Sequence, residues 1–126
     1  MKFLCICHYD RSKFAACRPE DFQAIGAICA PRDKQLQATG QVDAIGSFVD
    51  EAGYATIRAH DGGKWSVEHA PYASGPEPWG AFFIVEADSL ERAVEIASLH
   101  PGAHLGGYFG GGIEVRPCNF FWPPGG

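Results

Sequence analysis

The sequence predicts an α+β fold in which two helices cover one face of an antiparallel sheet. Three observations lead to this prediction: apolar runs of strand length, two segments with helical spacing of apolar residues, and a glycine turn between neighbouring strands. Together they give the element order β-α-β-β-β-β-α-β. The 126 residues are enough for one domain, because compact domains commonly contain roughly 100–150 residues.

The first part of the chain is predicted to hold a strand and a long helix. Residues 2–9 are nearly all apolar, which is typical of a strand covered on both faces. Pro19, followed by two acidic residues, indicates a helix start, and Gly40 indicates its end. Pro31 is expected to kink or split this helix, because its ring clashes with the preceding turn.

The rest of the chain is predicted to hold five strands and one helix. The strands are placed at residues 42–49, 54–60, 64–69, 81–86 and 113–116. An Asp-Gly-Gly turn at 61–63 makes a hairpin of the second and third of these, since glycine adopts the positive φ that tight turns need. The helix starts after Asp88, with Glu91 in a capping-box position, and ends at Pro101. Without the hairpin, this order is the βαββαβ plan of ferredoxin-like domains.

Composition and charge argue against two classes of partner. The net charge of −5 disfavours nucleic-acid binding, because phosphate contacts need a basic face. The apolar runs are too short for a membrane span. The odd number of cysteines, without a recognisable secretion signal, favours reduced thiols and a cytoplasmic location.

The sequence predicts neither a metal site nor a cofactor. It has no Cys-x-x-Cys pair, and a proline and a glycine between His100 and His104 prevent the shared helical face that two metal ligands would need. The glycines at 106–112 do not fit a phosphate-binding loop, because no lysine follows and a strand is predicted next.

Five short blocks, in their order and spacing, carry a resemblance to a known family. They are Tyr9-Asp10, Pro19-Glu20, Thr56-Ile57-Arg58 with Asp61-Gly62, the strand 80–86 leading to Asp88-Ser89-Leu90-Glu91-Arg92-Ala93, and Glu114-Val115-Arg116-Pro117. Over nearly its whole length, the chain resembles the YCII-related proteins, in particular the branch named for its Asp-Gly-Pro-Phe motif. At that motif this chain reads His69-Ala70-Pro71-Tyr72, so position 69 has no carboxylate.

The resemblance implies a ferredoxin-like domain over 1–118 that forms a dimeric α/β barrel, with an aromatic, proline- and glycine-rich tail at 119–126. It also implies a pocket. Activities known among such relatives include dehydrochlorinase-like chemistry on hydroxylated aromatic rings, and the fold is similar to that of muconolactone isomerases. Fold likeness alone does not fix a function.

The alternation of residues in the first strand supports a homodimer independently. Phe3, Cys5 and Cys7 are apolar on one face, and Leu4 and Ile6 are apolar on the other. Two helices can cover only one face of such a sheet, so the other face needs a partner. Pairing with a second copy is the commonest solution.

Three residues at strand ends are candidate catalytic residues: His69, Asp10 and His8. His69 opens the proline-rich stretch 70–80, and imidazole titrates near neutral pH. His8 and Asp10 lie two apart on a strand and therefore share a face, where the carboxylate could fix the tautomer of the imidazole. The alternatives are a surface histidine at position 69 and a helix cap at Asp10.

Five further side chains are candidate ligand-binding groups: Tyr9, Arg58, Tyr72, Glu77 and Trp79. Aromatic rings around a carboxylate suit a small, flat, partly polar ligand. Arg58 could bind a carboxylate or phenolate through paired hydrogen bonds, or it could form an ion pair with Glu68 on the facing strand. Tyr72 and Trp79 could instead pack the loop onto the core.

These residues favour cofactor-free proton transfer, an isomerisation or an elimination, on a small cyclic or aromatic acid. His69 or Asp10 would be the base, and Arg58 or Tyr72 would orient the substrate. The alternatives are a non-catalytic ligand-binding or regulatory homodimer and a purely structural dimer. The expected partners are a second copy of the chain and a small organic acid or phenol, with no nucleic acid and no membrane.

Overall fold

A four-stranded antiparallel sheet forms the centre of the molecule. The computed structural model describes residues 1–123. The strands are β1 (Lys2–His8), β2 (Val42–Ser47), β3 (Thr56–Ala59), β4 (Trp65–Glu68), β5 (Trp79–Glu86) and β6 (Gly112–Pro117). The main sheet has the order β2-β5-β1-β6, and among residues 1–123 strands β3 and β4 pair only with each other. The predicted α+β class with an antiparallel sheet is confirmed, and the arrangement is consistent with a ferredoxin-like fold.

Within the described residues, four helices and three short 3-10 turns connect the strands. The helices are α1 (Arg11–Ala16), α2 (Pro19–Ala38), α3 (Leu90–Ala97) and α4 (Gly106–Phe109), and the 3-10 turns are Glu51–Gly53, Asp61–Gly63 and Pro101–Ala103. Helix α2 begins at Pro19 as predicted and continues through Pro31 as one element, so the expected split is absent. Helices α1 and α4 were not predicted, because six and four residues are too few to show a periodicity.

The core lies between one face of the main sheet and helices α2 and α3. Phe3, Cys5, Phe83 and Val85 point to this side, and all four are fully buried. Leu36 of α2 and the small apolar face of α3 close the cluster. Cys7 belongs to the same cluster, so Cys5 and Cys7 are both core residues, as their strand spacing predicts.

The opposite face of the main sheet is less well covered. Leu4 pairs with Ile84 across β1 and β5, and both are only half-buried. Phe82 on the same face stacks against Phe48 at a ring distance of 5.7 Å. The sheet thus keeps a partly exposed apolar strip on the side away from the helices.

The β3–β4 hairpin forms as predicted but remains separate from the main sheet. Arg58 lies 3.3 Å from Glu68, which is the ion pair considered from the sequence. The side chains of Ile57, Trp65 and Val67 are exposed. Across the described residues, 1–123, no helix combines the length and the apolar character needed to cross a membrane.

Candidate active site

A cavity of about 1020 Å³ opens at one end of the main sheet. Strands β1 and β2 end there and β5 begins there, and α1, α4 and the segment 48–54 surround the opening. Aromatic side chains form much of the wall: Tyr9, Phe14, Phe48, Tyr54, Trp79 and Phe109. Ligand pockets typically have volumes of roughly 300–1,000 Å³ and apolar walls, so this cavity is large enough for a small organic molecule.

Backbone hydrogen bonds hold the end of β1 against the loop that leads into β5. The N–H of Tyr9 donates to the carbonyl of Pro78 at 3.2 Å, and the N–H of Arg11 donates to the carbonyl of Pro76 at 3.0 Å. Buried or half-buried backbone groups need such partners. The proline-rich loop is therefore fixed in place beside the cavity.

The glycine-rich stretch after α4 passes directly against the same end of β1. The N–H of Asp10 donates to the carbonyl of Phe109 at 2.7 Å. Gly111 has a φ of 66°, and a Cβ at this position would overlap the carbonyl oxygen of His8. Only glycine allows both the positive φ and this close approach. The segment 8–11, the loop 75–80 and the stretch 106–112 are called the cavity end below.

His8 is oriented by the loop. Its Nδ1 lies 2.9 Å from the carbonyl oxygen of Glu77, and its ring lies edge-on to Trp79 at a centroid distance of 6.2 Å. A carbonyl oxygen can only accept, so Nδ1 carries the proton in the neutral ring. Nε2 is then left with a free lone pair, the state that a general base requires.

His100 also lines the cavity, and the backbone that follows it fixes its ring. The N–H of Gly102 donates to Nδ1 at 2.9 Å, and the Cys7 sulfur lies 3.8 Å from the same nitrogen. The ring stacks on Phe83 with centroids 4.5 Å apart and planes 1° from parallel. Burial lowers the pKa of His100 and outweighs the opposing effect of Asp33. The imidazole is therefore neutral at neutral pH.

An ion pair joins helix α1 to the segment 48–54. Nη2 of Arg11 lies 2.5 Å from Oε1 of Glu51, and the Arg11 Nε–H also donates to the carbonyl of Gly75. Desolvation, with a further contribution from Glu51, raises the pKa of the Tyr54 hydroxyl. The tyrosine consequently stays protonated and neutral beside the cavity.

The buried thiols are poor nucleophiles. Burial raises the pKa of Cys7 to about 11 and that of Cys5 to about 12. A thiol must ionise to attack an electrophile or bind a metal. Cys7, which lines the cavity, therefore contributes as an uncharged, weakly polar group.

The structure divides the candidate residues predicted from the sequence into two groups. His8, Tyr9 and Trp79 line the cavity. Asp10 does not: its Oδ1 accepts from the N–H groups of Ser12 and Lys13 and so caps helix α1. His8 and Asp10 therefore have separate partners and do not form the hydrogen-bonded pair that their spacing suggested.

The remaining candidates lie away from the cavity wall. His69 and Glu77 are exposed. Arg58 donates to the carbonyl of Tyr72 at 2.9 Å and stacks over the Tyr72 ring at 4.3 Å. Tyr72 lines a second, smaller cavity of about 380 Å³, next to Phe48 and Tyr54.

Four functional candidates were missed by reading the sequence: Arg11, Glu51, Tyr54 and His100. The sequence shows no pattern around them, since they come from a short helix, a 3-10 turn and two element ends that meet only in the folded chain. Within residues 1–123, no group of three or more His, Cys, Asp or Glu side chains is placed to hold a metal ion.

Comparison with known proteins relates this arrangement to a described family. An uncharacterised protein of Rhizobium meliloti (strain 1021) is 27% identical over 124 residues, which covers 98% of this chain and 96% of that protein. The structure of 5-chloro-2-hydroxyhydroquinone dehydrochlorinase from Burkholderia phenoliruptrix AC1100, in complex with 2,5-dihydroxybenzoquinone, is 18% identical, with a TM-score of 0.45 over 96% of each chain. The YCII-related domain matches residues 1–116. This chain therefore belongs to the YCII-related domain family.

Proposed function

We propose that this protein binds a small, flat, partly polar organic molecule in the cavity and catalyses a proton transfer on it without a cofactor. The observation that carries the proposal is the state of His8. Its Nδ1–H is donated to the Glu77 carbonyl, which leaves Nε2 as a proton acceptor on a residue that lines the cavity. A positioned imidazole of this kind is the commonest general base in enzymes.

The reaction class follows from what a single base can do. His8 would take a proton from a carbon next to a carbonyl, so that the electron pair of the C–H bond forms a C=C bond and the π electrons of the carbonyl move onto its oxygen. Return of the proton at another carbon completes an isomerisation, and departure of a leaving group completes an elimination. The aromatic wall suits a ring-shaped substrate, because aromatic faces pack well against flat ligands.

The location of the base departs from the expectation based on the sequence. Asp10 is engaged in capping α1, and His69 is exposed outside the cavity wall. Arg58 has partners in Glu68 and Tyr72, so Arg11 is the guanidinium that lines the cavity. The proposal accordingly keeps His8, Tyr9 and Trp79 from the predicted site.

We also propose that the protein forms a homodimer through the open face of the main sheet, in the manner of a dimeric α/β barrel. The half-buried pair Leu4 and Ile84 on that face supports this proposal, because contiguous apolar surface favours association. The altered motif at 69–72 would then mark a variant of the Asp-Gly-Pro-Phe branch.

Ile84→Lys is expected to shift the protein from dimer to monomer in sedimentation at micromolar concentration. Val94→Lys, on an exposed helix position, is the control, and a monomeric parent would contradict the proposal.

A non-catalytic ligand-binding homodimer is the second candidate function. It is favoured by the absence of a carboxylate from position 69 and by the capping role of Asp10, which together remove the acidic residues expected at the site. Binding without turnover would distinguish this function from proton transfer.

The test combines ligand binding with hydrogen exchange. Small phenols, cyclic ketones and aromatic acids are screened by thermal shift, and bound compounds are followed by NMR in D₂O for exchange of carbon-bound hydrogen. His8→Asn retains a side-chain N–H near Nδ1 but lacks the base. It should bind the same compounds and exchange hydrogen roughly 10²–10⁴-fold more slowly.

Two other histidine variants complete the experiment. His60→Asn, on the hairpin, should exchange at the parent rate. If hydrogen exchange were much slower in His69→Asn but unchanged in His8→Asn, residue 69 would be the base instead of His8. Binding of several compounds with no exchange in the parent would favour the binding function.

A further inference from the structure

We infer that His100 acts as a fixed hydrogen-bond donor toward a carbonyl or phenolic oxygen of the ligand, opposite in tautomer to His8. This inference rests on the proposed function of the cavity and specifies the chemistry of its ligand. It assigns a specificity-determining role to a residue that shows no motif in the sequence.

The tautomer of His100 follows from its backbone partner. A peptide N–H can only donate, so Nδ1 of His100 must present its lone pair to the N–H of Gly102, at 2.9 Å. The nearby Cys7 thiol is protonated because burial raises its pKa, and it can donate to the same nitrogen. The proton of the neutral imidazole is therefore on Nε2.

The orientation of the ring is equally well defined. Parallel stacking on Phe83, at 4.5 Å, allows the imidazole little rotation out of its plane. The Gly102 hydrogen bond fixes its rotation within that plane. A donor held in this way needs no reorganisation when a ligand binds, which is how preorganised donors stabilise developing negative charge.

The donor has no hydrogen-bond partner among residues 1–123. No hydrogen bond within that part of the chain uses Nε2, although the residue lines the cavity. A neutral imidazole N–H is a suitable partner for a carbonyl oxygen or an oxyanion, and lowering of the pKa by burial keeps the ring neutral for this purpose.

The donor at His100 defines the class of ligand, which is a small ring with a carbonyl or phenolic oxygen. When negative charge develops on that oxygen, His100 hydrogen-bonds it without giving up its own proton.

The experiment uses the full-length protein and cyclohex-2-enone labelled with ¹³C at the carbonyl. A hydrogen bond from His100 should lower the carbonyl stretching frequency of the bound probe in the infrared spectrum. His100→Gln can place an amide N–H near the former Nε2 and should keep the shift. His100→Asn places its amide near Nδ1 and should lose the shift, with binding weakened about tenfold, which corresponds to about 1.4 kcal/mol.

The outcomes separate this inference from the proposed function. Failure of the probe to bind at millimolar concentration counts against the cavity as a ligand site. Binding with an unshifted carbonyl in the parent, or an equal shift in both variants, overturns the role of His100. In ¹⁵N NMR of the unliganded protein, protonation of His100 at Nδ1 instead of Nε2 would also overturn it. His8→Asn should keep the infrared shift while losing hydrogen exchange.

Discussion

The cavity end and the β3–β4 hairpin contain similar kinds of residue but are held in different ways. Both have one histidine, one arginine, at least one aromatic ring and two positive-φ glycines. At the cavity end, backbone groups of β1 hydrogen-bond to the loop 75–80 and to Phe109, and side chains are fixed around a cavity. On the hairpin, most side chains face solvent and the strands pair only with each other.

Residue type is a weak guide to function in this chain. Arg58 and Arg11 have the same side chain, but Arg58 stacks on the exposed Tyr72 whereas Arg11 joins two segments around the cavity. His69 and His8 differ in the same way. The backbone environment, rather than the local sequence, separates a candidate catalytic residue from a surface residue.

Substitution of glycine should give the largest difference between the two regions. Gly111→Ala is expected to lower the free energy of unfolding by about 3 kcal/mol or more, because the Cβ would overlap the carbonyl of His8 and φ is 66°. Gly63→Ala on the hairpin, with φ 73° and nothing within 4 Å, should cost about 1 kcal/mol. Urea denaturation measures both. Equal losses would show that the contact of Gly111 with β1 is not tight.

The sequence predicts the frame of the molecule better than its site. Apolar runs indicated β1 and β5 correctly, since apolar side chains on both faces of a strand leave a continuous apolar signal. Pro19 indicated the start of α2 for a similarly local reason. The separation of the hairpin from the main sheet had no such signal, because pairing between distant strands depends on the whole fold.

The site was predicted only where it coincides with a strand end. His8, Tyr9 and Trp79 stood out beside the proline-rich loop and do line the cavity. His100 was considered only with His104 as a metal ligand and was dismissed. Its tautomer depends on the Gly102 N–H and its orientation on Phe83. Such contacts are visible only after the chain has folded.

Removal of the carboxylate that caps helix α1 should give a smaller difference in stability between the two regions than the glycine substitutions. Asp10→Ala is expected to lower the free energy of unfolding by about 1 kcal/mol, because the N–H groups of Ser12 and Lys13 lose their acceptor. Asp61→Ala, in the exposed hairpin turn, should change it by less than about 0.5 kcal/mol. Asp10→Asn retains a capping oxygen and should keep both stability and any hydrogen exchange. A variant that is stable but inactive would instead make the carboxylate a catalytic group.

The loss of stability at acidic pH should differ least between His100, beside the cavity, and the exposed His69. The sign of this difference follows from the pKa of His100. Burial lowers this pKa from its usual 6.5, so below about that pH the unfolded chain binds the proton more readily than the folded chain. The contribution of a neutral His100 to stability is complete above pH 6.5 and is lost as the pH falls toward the folded pKa. Between pH 7.5 and 5.5, the free energy of unfolding should therefore fall less in His100→Gln than in the parent.

Two controls separate the effect of His100 from that of other titrating groups. Glu86, whose pKa is lowered mainly by its hydrogen bond with the N-terminal amine, adds acid lability of its own, but it does so equally in every variant. His69→Gln replaces an exposed histidine and should reproduce the slope of the parent. Denaturation at each pH provides the measurement, and identical slopes for the parent and His100→Gln would mean that His100 is not desolvated. Its neutral state, and with it the oriented donor beside the cavity, would then lose its physical basis.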